Sequence, residues 1–133
     1  MPLKTKRWCD PSEPDDGLRV LICRYRPRGL PKAKETWDVW RRELGPSPAL
    51  FDAFFGKGQT PIPLDDYKAR YVAEMAAQRE TISELAARVD RGETVTLLCS
   101  RDCILPAICH RTVLAGLIES ARLTGAVPAS PPR

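Results

Sequence analysis

The sequence predicts a small α/β domain whose largely parallel sheet is flanked by helices, Rossmann-like and of two or three layers. Three observations carry this reading. Residues 18–23 (LRVLIC) and 94–99 (TVTLLC) are short β-branched and apolar runs with the composition of buried strands. Between and after them lie stretches with apolar residues at helical spacing. The 13 prolines fall in residues 2–63 and from 106 onward, which leaves 64–105 clear. Proline in a helix interior costs about 3 kcal/mol, so the long regular elements belong in the clear stretch.

In chain order, residues 3–9 form a weaker strand candidate, and 11–17 (PSEPDDG) are dense turn chemistry leading into the 18–23 strand. A helix is expected over about 34–44, with Trp37, Trp40 and Leu44 on one face. A short helix follows Pro46-Ser47-Pro48, with Ser47 as N-cap and Pro48 at the first helical position. Leu64, Tyr67, Tyr71 and Met75 mark the next helix, with Asp65 and Asp66 favouring its positive end. Ile82, Leu85, Ala86 and Val89 mark another over about 80–91, stopped by Gly92. After the 94–99 strand and an irregular loop, Leu114, Leu117, Ile118 and Ala121 trace a last helix of about three turns. Residues 1–124 are expected to form one domain, and 125–133 (GAVPASPPR) a loose proline-rich tail.

Composition excludes several classes. At 133 residues the chain suits one domain. Hydrophobic residues at 43% and charged residues at 29% are ordinary for a globular protein. No apolar run approaches the roughly 18 residues of a membrane span, and the first ten residues lack the apolar core of a secretory signal, so a cytoplasmic protein without a membrane partner is expected. In that compartment thiols stay reduced, and five cysteines are an odd number for a closed framework, so no structural disulfide is expected. The net charge of +4 is placed unevenly. Residues 1–34 hold nine Lys/Arg against four acids, and the remainder is nearly balanced. That surplus suits an anion-binding feature.

Chemistry concentrates in two places. Residues 99–111 (CSRDCILPAICHR) run from a strand end through a loop to a helix start, and ligands bind beyond the carboxyl ends of α/β strands. A helix start favours anions and lowers the pKa of a nearby thiol. Cys109 is the candidate nucleophile, the single histidine His110 the proton handler, and Arg111 the clamp on an oxyanion or phosphate. The competing reading of Cys99 and Cys109 is as small core residues. A metal held by Cys99, Cys103, Cys109 and His110 is a further alternative, although Cys-x3-Cys-x5-Cys-His lacks the short paired spacing of a zinc knuckle. No cofactor is predicted. The phosphatase loop needs Cys-x5-Arg, and Leu105, Cys109 and Ala115 stand where the arginine would be. No phosphate-binding glycine motif is present.

The second place is Arg24-Tyr25-Arg26-Pro27-Arg28-Gly29 with Lys32 beyond it. Guanidinium groups match carboxylates and phosphates bidentately, so Arg24, Arg28, Lys32 and Arg111 are the candidate anion-binding residues. The plain alternative is a solvated basic loop.

Lys6-Arg7, Asp10-Pro11, Asp15-Asp16-Gly17, Arg19-Val20-Leu21, Arg24, Pro27-Arg28-Gly29, Lys32, Trp37, Pro46-Ser47, Phe55-Gly56, Tyr67, Arg70-Tyr71, Glu74 and 95–98 (VTLL) stand in an order that resembles the YeaO-like proteins of the domain of unknown function 488 family. The resemblance spans about residues 4–121. Cys109-His110-Arg111 is similar to the Cys-His-Arg signature of other branches of that family. The resemblance implies the α/β fold and no particular reaction. The chain departs from the pattern at Cys23, where an aspartate is usual before the arginine, and at Lys57, where a histidine commonly follows Phe-Gly.

The function these residues point to is binding of a small anionic ligand in a thiol-containing pocket. That pocket combines the Arg24/Arg28 strand end with the Cys109-His110-Arg111 helix start. The alternative from another class is a nucleic-acid-binding or protein-adaptor module using the basic first third.

Overall fold

A computed structural model describes residues 3–100 and 109–124. Its four strands are β1 (Leu3–Arg7), β2 (Leu18–Leu21), β3 (Val39–Trp40) and β4 (Val95–Cys99). They form one sheet of order β1-β4-β2-β3, and every pairing is parallel. Four helices accompany it: α1 (Pro48–Phe55), α2 (Leu64–Met75), α3 (Arg79–Asp90) and α4 (His110–Thr124). The α/β class expected from the sequence is the class observed.

Strand alternation decides what each face of the sheet buries. Val20 and Ile22 from the β2 segment and Val95 and Leu97 from β4 project into one core, joined by buried residues of all four helices. The other face has no helix against it among the described residues. Trp8, Leu21 and Leu98 form a smaller cluster there, against Cys9, Cys23, Leu30, Trp37 and Trp40 of the connecting segments. The result is one helical layer on the sheet and a layer of loops opposite. β4 is buried along its whole length because it lies between β1 and β2, which explains its nearly uninterrupted apolar sequence.

The helix ends follow local chemistry. The Ser47 hydroxyl accepts from the Leu50 amide at 3.1 Å at the start of α1, and Pro48 occupies its first turn. The helix expected from residue 64 is α2, continued by a single 3-10 turn at Ala76–Gln78. The one expected from residue 80 is α3. The last helix is longer than expected, 15 residues or about four turns.

The expected helix over 34–44 is corrected. Val39 and Trp40 are extended and pair with Val20 and Leu21, between 3-10 turns at Lys32–Lys34 and Arg42–Leu44. The aromatic spacing arises from separate contacts. Trp37 packs edge-on against Trp8, the Trp40 indole N–H donates to the Cys23 carbonyl at 2.7 Å, and Leu44 is buried in the helical core. The Asp38 carboxylate accepts from the Arg19 amide at 2.8 Å, which fixes the edge strand before its pairing begins.

Gly17 is the turn into β2 and has φ +63°; a Cβ there would lie 2.1 Å from the Thr94 carbonyl oxygen. Beside it, Asp16 is buried on the loop-covered face. Its carboxylate meets the ammonium groups of Lys4 at 2.7 Å and Lys6 at 2.9 Å, the Arg19 guanidinium, and the Glu13 amide at 3.1 Å. Burial alone would raise its pKa, but these donors hold the carboxyl well below the usual range. The Asp16 carbonyl also accepts from the buried Thr96 hydroxyl at 2.7 Å, tying the turn to β4.

Asp16→Asn is therefore expected to lower unfolding stability by about 3 kcal/mol, since it leaves three cations facing a neutral amide. Because the folded carboxyl titrates below its unfolded value of about 3.9, its contribution is present above that value and is lost as pH falls below it. Denaturant unfolding of both proteins as a function of pH checks this, with the difference between them shrinking on the acid side.

Candidate functional site

Parallel pairing sets all strand carboxyl ends on one edge, and the thiols gather there. The Ile22 amide still donates to the Leu98 carbonyl at 3.0 Å beyond the end of β2, which places Cys23 next in line on that edge. β4 ends at Cys99, whose carbonyl accepts from the Trp8 amide at 2.8 Å. α4 starts at His110, so Cys109 arrives at the same edge immediately before it. Cys99, Cys109 and His110 are 3%, 4% and 7% exposed, and Cys23 is half-buried.

The imidazole is oriented by one hydrogen bond. His110 Nε2 lies 2.9 Å from the Ile22 carbonyl oxygen, which can only accept, so Nε2 carries the hydrogen. Nδ1 is thereby turned toward sulfur. It stands 4.0 Å from Cys99 Sγ and 4.0 Å from Cys109 Sγ. Tyr71 packs edge-on against the ring at 5.5 Å between centroids, and its hydroxyl donates to the Leu44 carbonyl at 2.6 Å.

Electrostatics divides the cysteines. The Cys99 thiol is pushed down, first by a hydrogen bond from Cys23 and then by His110, against the opposing effect of burial. The Cys23 thiol is pushed far up by the same bond to Cys99 and by burial. Cys9, Cys23 and Cys99 are free thiols, whereas Cys109 is disulfide-bonded. This corrects the expectation of a chain without disulfides. Cys109 Sγ also lies 3.0 Å from Cys99 Sγ, inside the roughly 3.5–4.0 Å of ordinary heavy-atom contact.

Cys99, Cys109 and His110 offer ligand atoms within 4.8 Å of one another, a grouping compact enough to consider for a metal. A tetrahedral zinc with Zn–S of about 2.3 Å would hold two sulfurs roughly 3.8 Å apart. Here the two sulfurs are 3.0 Å apart and Cys109 is in a disulfide, so they stand closer than that geometry requires.

A cavity of about 610 Å³ opens on the loop-covered side of this edge. Trp8, Cys23, Leu30 and Ser100 are among its lining residues, together with Tyr25, Arg28, Gly29 and Lys34. Cys23 is thus a wall of the cavity, and it is also the largest influence lowering the buried Cys99 thiol.

The expected anion-binding residues separate. Arg28 and the unanticipated Lys34 line the cavity. Arg24 donates to the Gly45 and Pro46 carbonyls at 3.1 and 3.3 Å, and a Cβ on Gly45 would lie 2.5 Å from the Arg24 amide. Lys32 is exposed in a 3-10 turn and is not among the cavity-lining residues. Arg26 pairs with Glu35 at 2.7 Å. Arg111 is buried; its amide donates to Cys109 Sγ at 3.5 Å and its charge helps lower the Asp10 carboxyl. Cys103 lies outside the described residues. Cys23 was missed because a cysteine closing an apolar strand reads as core. Its signal was its place at the carboxyl end of β2, the same criterion that singled out Cys99.

Replacing Cys23 by Ala removes the largest influence lowering the Cys99 thiol, and His110→Gln removes the next favourable one. Both variants are expected to form the Cys99 thiolate at higher pH than the parent, Cys23→Ala more so. Thiolate ultraviolet absorbance followed across a pH titration, with Cys9→Ser in every protein, measures the order.

Comparison with known proteins adds a family but no reaction. The family model described as "Active DUF488-N3 subclade" matches residues 3–122. The Uncharacterized protein YeaO of Escherichia coli is 35% identical over 100 residues, covering 75% of this chain and 84% of that one. The Uncharacterized protein Rv3073c of Mycobacterium tuberculosis is 28% identical over 107 residues, covering 80% and 85%. No solved structure matches.

Proposed function

The chain belongs to the DUF488-N3 family, and we propose that this member binds a small anionic ligand in the 610 Å³ cavity and acts on it through the Cys23–Cys99–His110 thiol group. The observation that carries the reading is the place of Cys23, a thiol that lines the cavity beside Arg28 and Lys34. Arg28 and Lys34 supply positive charge for a carboxylate or phosphate. Trp8 and Tyr25 supply apolar wall. Cys99, whose thiol is pushed down, would carry the negative charge, and His110 Nδ1, 4.0 Å away, would handle the proton. Cys109 contributes its sulfur as the disulfide-bonded neighbour, and Arg111 supports the helix start from within the core.

The ion pairs of the first third favour a pocket over an extended polyanion surface. Lys4, Lys6 and Arg19 meet Asp16; Arg7 meets Asp10; Arg26 meets Glu35. Cations with close acidic partners offer little attraction to a nucleic-acid backbone, whose binding relies on many phosphate contacts.

The test compares alkylation of Cys23 by iodoacetate and by neutral iodoacetamide, read by peptide mass spectrometry. Relative to the intrinsic rates of the two reagents, the anion is expected to be favoured by about tenfold at low salt. That preference should vanish in Arg28→Gln/Lys34→Gln. No preference in the parent protein would overturn the anion-binding reading.

A further inference from the structure

Three neighbouring strands end beside the cavity. Trp8 follows β1, Cys23 follows the β2 segment and Ser100 follows β4, and all three line it. The other described lining residues come from the segment 25–34, which carries both cations. Charge and apolar surface are kept apart in this wall. Arg28, Lys34 and Tyr25 are exposed, whereas Trp8 is buried and Cys23, Leu30 and Ser100 are half-buried. The cations therefore stand at the mouth and the deeper wall is mainly apolar, with the Cys23 thiol acting as a small apolar surface. No carboxylate is among the described lining residues.

Trp8 is held from three directions. Its amide donates to the Cys99 carbonyl at 2.8 Å, its carbonyl accepts from the Thr36 hydroxyl at 2.5 Å, and its ring meets Trp37 edge-on at 6.4 Å between centroids. The Arg26 guanidinium covers the Trp37 ring at 5.8 Å, and Glu35 fixes that arginine at 2.7 Å. A ring fixed in advance costs little ordering entropy when a second ring packs against it. The volume of about 610 Å³ falls within the roughly 300–1,000 Å³ of sites that take organic molecules, and an inorganic oxyanion alone would leave most of it to water.

We propose that the cavity takes an aromatic acid, a flat ring packed on the Trp8 wall with its carboxylate or phosphate at the mouth formed by Arg28, Lys34 and Tyr25. This names the substrate class of the site. It rests on the anion-binding reading for its charge, and on the aromatic wall alone for its ring. Aromatic pairs gain about two- to twelvefold in affinity beyond what burial of the same area supplies. A saturated ring of the same size buries similar area without that gain, so the two separate aromatic recognition from plain hydrophobic burial.

The experiment measures dissociation constants on the full chain by titration calorimetry, with weak ligands read by displacement. One series is phenylacetate, cyclohexylacetate and acetate; the other is phenyl phosphate, cyclohexyl phosphate and inorganic phosphate. Phenylacetamide supplies the ring without the charge. In at least one series the aromatic acid is expected to bind about fivefold tighter than its cyclohexyl counterpart and about tenfold or more tighter than the bare oxyanion. Trp8→Leu should erase the difference between the two rings. Tyr25→Leu, at an exposed position, should reduce it, and thermal unfolding of both variants separates loss of the ring from loss of the fold. Arg28→Gln/Lys34→Gln should weaken the preferred acid about tenfold and leave phenylacetamide unchanged. Equal affinity for aromatic and cyclohexyl acids in both series, or for aromatic acids and bare oxyanions, overturns the aromatic class and leaves the anion-binding reading standing. A ring preference that survives intact in both folded aromatic variants overturns the site. Equal affinity for phenylacetate, phenyl phosphate and phenylacetamide, unchanged in Arg28→Gln/Lys34→Gln, overturns the anion-binding reading and the acid proposed here with it.

Discussion

The site depends on the parallel pairing of β4 between β1 and β2. A parallel sheet aligns every carboxyl end on one edge, and the central strand can meet partners from both neighbours there. Cys99 closes that strand, the β2 segment runs on through Ile22 to Cys23, and the chain returns with Cys109 and His110 at the start of α4. The Ile22 carbonyl, just past the end of β2, accepts the His110 Nε2 hydrogen and so turns Nδ1 toward the sulfurs. If β4 lay at an edge, no such convergence of β2, β4 and α4 would follow from the same residues.

The readable parts of this fold are those in which local pattern and tertiary role coincide. α2 and α3 present Tyr67, Tyr71 and Met75, and Ile82, Leu85 and Val89, to the core at the periodicity that identifies a helix. β4 is apolar at every position but Thr96 because both its faces are covered. Residues 34–44 violate this agreement. Trp37, Trp40 and Leu44 have helical spacing, yet each faces a different neighbour, and the edge pairing of Val39 and Trp40 outweighs the pattern. A two-residue strand carries too little sequence to announce itself.

The same reasoning divides the site. A strand end followed by a helix start is a local feature, so residues 99–111 could be selected from sequence. That Cys23 reaches Cys99 depends on strand order, which no periodicity encodes. The basic segment behaves similarly. Arg24 is held by the Gly45 and Pro46 carbonyls because that turn passes within contact of it, while Arg28 lines the cavity. Which arginine is held by backbone carbonyls and which lines the cavity is decided by a turn some twenty residues away.

The sheet surrounds the Asp16 carboxylate and the Cys99 thiol differently. Near the amino ends of the strands, buried Asp16 is matched by three cations and a backbone amide, leaving an inert carboxylate that fastens the Gly17 turn. At the carboxyl end, the Cys99 sulfur has an imidazole nitrogen 4.0 Å away, and its thiol is pushed down by Cys23 and His110. Sulfur is a weak acceptor, and these partners stabilise its charge without enclosing it as fully as the Asp16 carboxylate is enclosed. A tightly enclosed anion stabilises a fold, whereas a thiolate with looser partners keeps its lone pairs available to another sulfur. The difference in surroundings gives the Asp16 carboxylate a structural role and leaves the Cys99 sulfur the more loosely held of the two, although both are set into the same sheet.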